Sequence, residues 1–306
     1  SLFNKILQRL GLLPDRKPTV RNFVFVRDDA DHLLPFSPNN GDDFFKMAGV
    51  KFWYDGSPYT GSMYLNEPFK SSSVNQEKIH VPLGHSGKAL WKNDEIANRI
   101  KQYDSVGWQV AVHTQGDRAI SETLDAFEKS GIPKNSRHRL EHCLLPSKKD
   151  IQRMAKLGVS PSFHINHLWY YGEALEDHII GRERTDKILP LKAAENNSLI
   201  FSLHADQPMF ESDPLSLLHT AVNRKTRDGE IVGKSNKISV EQGLKSLTIN
   251  AAWQIKMENK IGSIKPGKYA DFVILDQNPM MVDPEKIKDI HVLQTIVNGN
   301  IVYKKD

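Results

Sequence analysis

The sequence predicts an α/β fold built on a parallel sheet, and three observations carry that prediction. Six short apolar runs each end in polar residues, and amphipathic segments of helical period lie between them. From residue 259 onward the pattern changes to short strands split by turn dipeptides. A chain of 306 residues suffices for one large domain, or one large and one small. Its 39% hydrophobic and 25% charged composition supports a sizeable core.

In chain order, the opening "SLFNKILQRLGLLPDRKP" sets Leu2, Phe3, Ile6, Leu7 and Leu10 at helical spacing and stops at Gly11 and Pro14. It lacks the long apolar centre and small-residue cleavage site of a secretory leader, and it lacks an initiator methionine, so the expected start is a processed or shortened end. Strands are predicted over 22–28, 47–56, 108–113, 138–142, 158–167 and 199–206. Helices are predicted over 93–107, 117–131 and 147–158. Each opens on a residue able to cap (Asn93, Asp117, Ser147), and a glycine follows its end. Residues 57–92, rich in Ser, Gly, Pro and Asn, read as a long loop leaving a strand's carboxyl end, the usual place of a lid or binding loop. In the terminal segment, Pro266-Gly267 and Asn298-Gly299 mark turns of a small β appendage. Strand–helix alternation allows a doubly wound sheet or a barrel. A closed barrel of this kind needs eight strands, so on that reading two βα units are missing.

Composition narrows the function. Net charge is +4 with a pI near 8.9, the basic residues are dispersed, and no basic run is interleaved with aromatics, which argues against nucleic acid as a partner. The lone Cys143 permits no intrachain disulfide and no cysteine zinc site, in keeping with a reducing, cytoplasmic setting. No apolar run approaches the ~20 residues that cross a membrane, so no membrane partner is expected.

The informative residues sit at strand ends. "WQVAVH" ends on His113, "RLEH" ends on His142, and "SLHAD" ends on Asp206. Lys51 lies inside "GVKFWYDG", where an unpaired ammonium would be costly to bury. Strict alternation puts His142 and Leu140 on one face and Arg139 and Glu141 on the other. Four strands thus each deliver one metal-competent or ionisable group to a common rim. Imidazole and carboxylate suit zinc, iron, manganese or nickel, and a lysine joins only when its amine is neutral or carboxylated.

The set "VKFWYDGS", "HTQGDRA", "RLEH", "FHINHLWYYG", "HADQP" and "GSIKPGKYADFVIL" resembles the amidohydrolase superfamily of metal-dependent hydrolases, in its YtcJ-like branch, over about residues 40–306. The resemblance implies a partial TIM-type (β/α) barrel, about strands three to eight, over 1–258, followed by the C-terminal part of a small β-sandwich over 259–306. It implies that Lys51 becomes N-carboxylated and bridges two metals, that His113 and His142 are ligands, and that Asp206 both ligates and shuttles a proton. The implied cofactor is a divalent metal, zinc, which lowers the pKa of its water toward ~7 and polarises the electrophile. The implied activity is cleavage of a C–N bond, amide or N-formyl, in a small molecule. Deamination of a heterocycle uses the same site, and a non-enzymatic barrel fragment is the reading outside enzymology. Superfamily members carry a His-x-His pair on the first strand, and this sequence has none. The resemblance therefore implies a portion of a longer enzyme, weakly active or inactive alone, with exposed apolar surface that favours homo-oligomers.

Further residues take two readings each. His167 in "NHL" is a substrate contact or a structural hydrogen bond. Trp169 and Tyr170, with Tyr171, wall a pocket or fill the core. His204 shares Asp206's face and neighbours it. His164 reads more readily as structural. Asp117 is expected to cap its helix, Asp55 to make a turn, Arg224 to be solvated and Cys143 to be a small buried hydrophobe. His80 and His85 have no functional case.

Overall fold

The six apolar runs form six strands: β1 (Asn22–Arg27), β2 (Phe45–Trp53), β3 (Gln109–Thr114), β4 (Arg139–His142), β5 (Ser160–His164) and β6 (Ser202–His204). They pair in chain order, and every pairing is parallel. Parallel neighbours need crossovers, which helices α1 (Asn93–Ser105), α2 (Asp117–Ser130) and α3 (Lys148–Leu157) supply between β2 and β5. After β5 come α4 (Asn166–Ala174), α5 (Arg182–Thr185) and α6 (Leu191–Asn196). After β6 come α7 (Pro214–Asn223), α8 (Val240–Leu247) and α9 (Ile249–Gln254). The result is a partial (β/α) barrel: six of the eight strands of the closed form, with β1 and β6 as its edges. The computed structural model describes residues 19–35, 37–38 and 41–306. The amphipathic run predicted at the N-terminus lies outside them.

Period two along the strands separates two chemistries. One face carries Val50, Phe52, Val110, Val112 and Leu140, all without solvent exposure, packed under Ile96, Ile100, Leu124, Phe127 and Ile151 of the helices. The opposite, concave face carries Lys51, His113, Arg139, Glu141, Ser162 and His204, aligned across the sheet by the registers Lys51↔Ala111↔Arg139↔Ser160 and Trp53↔His113↔Glu141↔Ser162↔Ser202. Burial of the apolar face, at about 25 cal/mol per Å², is what holds the helices on the sheet.

Of the three expected helix caps, one forms. Ser147 caps α3 in a capping box with Asp150, and Gly131 and Gly158 end their helices in the left-handed conformation. Asn93 and Asp117 are not caps. Asn93 Nδ2 donates to the Glu122 carbonyl, and the Asp117 carboxylate accepts the backbone and side-chain N–H groups of Asn66. Asp117 thereby ties down the long connection 57–92, which is packed rather than free: Met63, Leu65, Phe69 and Val81 from it are buried in the main core. Arg224, expected in solvent, is fully buried and donates to the carbonyls of Ile188, Leu189 and Val232. Cys143 is buried as expected.

The terminal segment forms an antiparallel sheet of β7 (Phe272–Leu275), β8 (Val292–Val297) and β9 (Asn300–Lys304). Asn298 and Gly299 both take positive φ (49° and 75°), which gives the two-residue turn whose twist matches the strands it joins. Arg21 clamps the segment to the barrel through Asp271 at 2.8 Å, and Lys260 does so through Asp43 at 2.7 Å.

Candidate metal centre

Four consecutive strands carry a histidine as their last or next-to-last residue, and the carboxyl end of a parallel sheet is where such groups converge. His113 ends one residue short of the β3 terminus, while His142, His164 and His204 terminate β4, β5 and β6. His113 and His164 reach the concave face by alternation. His142 does not: alternation and the register Thr114↔His142↔Phe163 assign it to the helix side with Leu140. The backbone turns left-handed at His142 (φ 69°) and Cys143 (φ 51°), and the imidazole lands 4.4 Å from the His113 ring and 5.0 Å from the His204 ring. The expected face for His142 is thus corrected, and the expected neighbourhood with His113 stands.

Two sets of three donors emerge around His142. His142, His204 and Asp206 have ligand atoms within 4.8 Å of one another, as do His142, His164 and His167. Asp206, also left-handed (φ 58°), is the exposed member. His204 is fixed at both nitrogens, with Nδ1 2.9 Å from Ser162 Oγ and Nε2 3.2 Å from His142 Nδ1. His167 lies in the first turn of α4, and its Nδ1 is 2.7 Å from the hydroxyl of Tyr59, which the 57–92 connection delivers.

Lys51 joins the same concave face. The surrounding strands desolvate its amine and lower its pKa. Glu141, ahead of Asp206, is the carboxylate that most favours its charged form. Glu141 was assigned by alternation to the face opposite His142, and it does lie on the Lys51 face. Burial alone would raise its pKa, but Arg139, Lys51 and His204 outweigh that and hold it at about 2.

The imidazoles are kept neutral. Burial, with Lys51 beside it, lowers His113 to about 3, and burial lowers His167 to about 3. Burial pushes His142 and His164 well below the ordinary value, each helped by neighbouring histidines. Neutral imidazole is the ligand form. Both ring nitrogens of His164 and Nε2 of His167 are buried without a hydrogen-bond partner of good geometry, a condition that costs about 1–3 kcal/mol per group in a protein interior. Orphaned neutral imidazoles facing one another fit a borderline transition metal, and the residues present are therefore suited to the ion that the resemblance implies.

Tyr170 stacks on Phe210 at 4.6 Å, and Phe210 in turn lies 5.3 Å from His164, so Tyr170 stands behind the rim wall. Trp169 packs edge-on against His219 at 5.6 Å. Tyr171 lies 4.2 Å from Tyr59. Sequence reasoning missed Asp55. Expected in a turn, it is fully buried, accepts the N–H groups of Tyr64, Gln115 and Gly116, and lies 3.8 Å from His113 Nε2. Its only signal was position, just beyond a strand that already carried Lys51.

This geometry has known relatives. The chain belongs to the amidohydrolase family, which it matches over residues 18–303. It is similar to the putative amidohydrolase YtcJ of Bacillus subtilis, 28% identical over 272 residues that cover 86% of this chain and 48% of that protein. It is similar to the N-substituted formamide deformylase of Arthrobacter pascens, 26% identical over 299 residues that cover 92% and 55% respectively. Among solved structures it superposes on an uncharacterized metal-dependent hydrolase from Pyrococcus horikoshii OT3 with a TM-score of 0.74 at 25% identity, covering 92% of this chain and 54% of that one. The chain spans about half the length of the curated relatives it matches.

Proposed function

We propose that this chain carries the greater part of the active site of a metal-dependent hydrolase that cleaves amide or N-formyl C–N bonds in small molecules. The observation that carries the reading is the convergence of Lys51, His113, His142, His204 and Asp206 on the carboxyl rim of consecutive parallel strands, with the histidines neutral and their neighbours unpaired. The family membership and the deformylase relative support it.

A bound divalent ion, zinc on this reading, would lower the pKa of a water and polarise the scissile carbonyl. His113, His142, Asp206 and Lys51 would hold it. For Lys51 that role requires a neutral amine, free to ligate or to take up CO2 with release of a proton, and its burial favours that form. Asp206, the exposed carboxylate of the group, would accept the water's proton at a carboxylate oxygen and return it to the leaving nitrogen. His204, held by Ser162, orients His142 through its Nε2. His204 and, when no ion holds it, His167 are the side chains we assign to the substrate side, with Tyr170 backing that wall through Phe210 and Trp169 packed behind it on His219. The sequence has no His-x-His pair, so turnover by the 306 residues alone is expected to be low.

The test is a panel of N-formyl and N-acyl amines assayed with the protein loaded with zinc and stripped by chelator. Chelator-sensitive hydrolysis that falls on Asp206→Asn supports the reading. Tight zinc without turnover on any amide, and turnover on an aminated heterocycle instead, moves it to deamination.

A further inference from the structure

We propose that His142, His164 and His167 form an all-imidazole position for one divalent transition metal ion, separate from the Lys51 side of the rim. The inference stands on the imidazoles themselves; because His142 Nε2 serves one ion at a time, an ion here and His142 ligation on the Lys51 side are alternative states of the rim.

The three side chains come from different elements: the end of β4, the end of β5 and the first turn of α4. Their ligand atoms lie within 4.8 Å of one another, and all three residues are buried. The His164 and His167 rings are 4.1 Å apart, and His142 is 5.5 Å from His164. Tetrahedral Zn–N bonds of about 2.0–2.1 Å place ligand nitrogens roughly 3.3 Å apart, within reach of small ring rotations from this arrangement. Each ring has a nitrogen to give. His142 spends Nδ1 on His204, which leaves Nε2. His164 has no partner of good geometry at either nitrogen, and His167 has none at Nε2.

The surroundings are those of a built ligand. Tyr59 meets His167 Nδ1 at 2.7 Å, and the Tyr59 ring packs on Tyr171. For Nε2 to ligate, Nδ1 keeps its proton and donates it to the phenol oxygen, which sets both tautomer and ring plane. Phe210 closes the outer side against His164. A set of three imidazoles with no carboxylate favours zinc, cobalt, nickel or copper over magnesium or calcium. In the sequence the signal was the three-residue spacing of His164 and His167, with one at a strand end and the other on the helix that follows.

The experiment is titration of the purified protein with Co2+, followed by visible d–d absorption, with bound metal counted after equilibrium dialysis. Wild-type protein is expected to show an absorption component that His164→Ala and His167→Ala each abolish or weaken by at least ~30-fold, and that Tyr59→Phe weakens roughly 10–100-fold. The same component persists in Lys51→Met and in His113→Ala. His167→Gln and Tyr59→Phe serve where an alanine variant fails to fold, as judged by circular dichroism. The proposal is overturned if wild type binds no Co2+, if binding is unchanged in His167→Ala and Tyr59→Phe, or if the component disappears in Lys51→Met. The hydrolase reading fails on a different observation: it requires that turnover depend on Lys51 and Asp206, whatever the Co2+ component does.

Discussion

The barrel rim and the C-terminal three-stranded sheet treat polar groups in opposite ways. In the C-terminal sheet polar partners meet at the surface: His291 Nδ1 is 3.0 Å from the Asp276 carboxylate, and Asp271 accepts the Asn298 N–H. Apolar side chains there, such as Val273, Ile301 and Tyr303, are left exposed. At the rim, imidazoles are buried and some of their nitrogens stay unpaired. Neutral histidines that face one another in the interior with unpaired nitrogens leave those atoms able to bind a ligand. The rim also concentrates left-handed backbone, at His142, Cys143 and Asp206, and backbone strain gathers where side chains must be aimed.

The largest effect expected on this contrast is on activity. His113→Ala or Asp206→Asn should lower metal-dependent turnover by roughly 10²–10⁴-fold, whereas Tyr303→Ser in the terminal sheet should leave it unchanged. Steady-state kinetics on an N-formyl amine measures both, and equal losses would erase the distinction between the regions.

Two glycines sharpen it structurally. A Cβ on Gly116 would sit 1.9 Å from the Tyr64 carbonyl oxygen, so Gly116→Ala must push the 57–92 connection off the rim, at a cost of roughly 2–4 kcal/mol. A Cβ on Gly299 meets nothing within 4 Å, so Gly299→Ala costs only its left-handed conformation, about 1–2 kcal/mol. Denaturant unfolding of both variants gives the ranking.

That same contrast explains what could be read from the sequence. Turn chemistry is local, and Asn298-Gly299 fixes its hairpin with no help from elsewhere in the chain. The six strands and their parallel order were also legible, because apolar runs alternating with helical periods leave few topologies. Which way a side chain points at a strand's last residue is not local. The left-handed turn at His142 sets it, and alternation therefore misplaced that ring. The roles of Glu141 and Asp55 were not legible for a related reason: they come from burial against Lys51 and against three backbone N–H groups supplied by distant segments.

Asp55 offers a pH test of the rim. Burial outweighs its three backbone hydrogen bonds and raises its pKa from 3.8 to about 7. Its folded pKa lies above the unfolded one, so its stabilising contribution is complete below about pH 4 and is lost as pH rises through 7. Thermal melts of metal-free protein should therefore show stability falling over that range, and Asp55→Asn should flatten the slope while lowering stability overall. A slope of opposite sign would mean that the three N–H donors win.

The smallest effect belongs to the clamp on the terminal segment. Bonds from Lys260 and Tyr269 hold the Asp43 carboxyl at about 2. With a depressed folded pKa, its contribution is present above pH 4 and lost as pH falls through 2. Exposure and salt screen the ion pair, so Asp43→Asn should shift Tm by less than about 2 °C at pH 7 and by less again at pH 2, where the carboxyl is half protonated.

The measurement that bears most directly on the rim as a metal centre is anomalous diffraction at the zinc edge from crystals of zinc-loaded protein. A peak bonded to at least two imidazole nitrogens among His113, His142, His164, His167 and His204 is the expected result. A map with no peak at the rim, or with zinc only at the exposed His291–Asp276 pair, would contradict it.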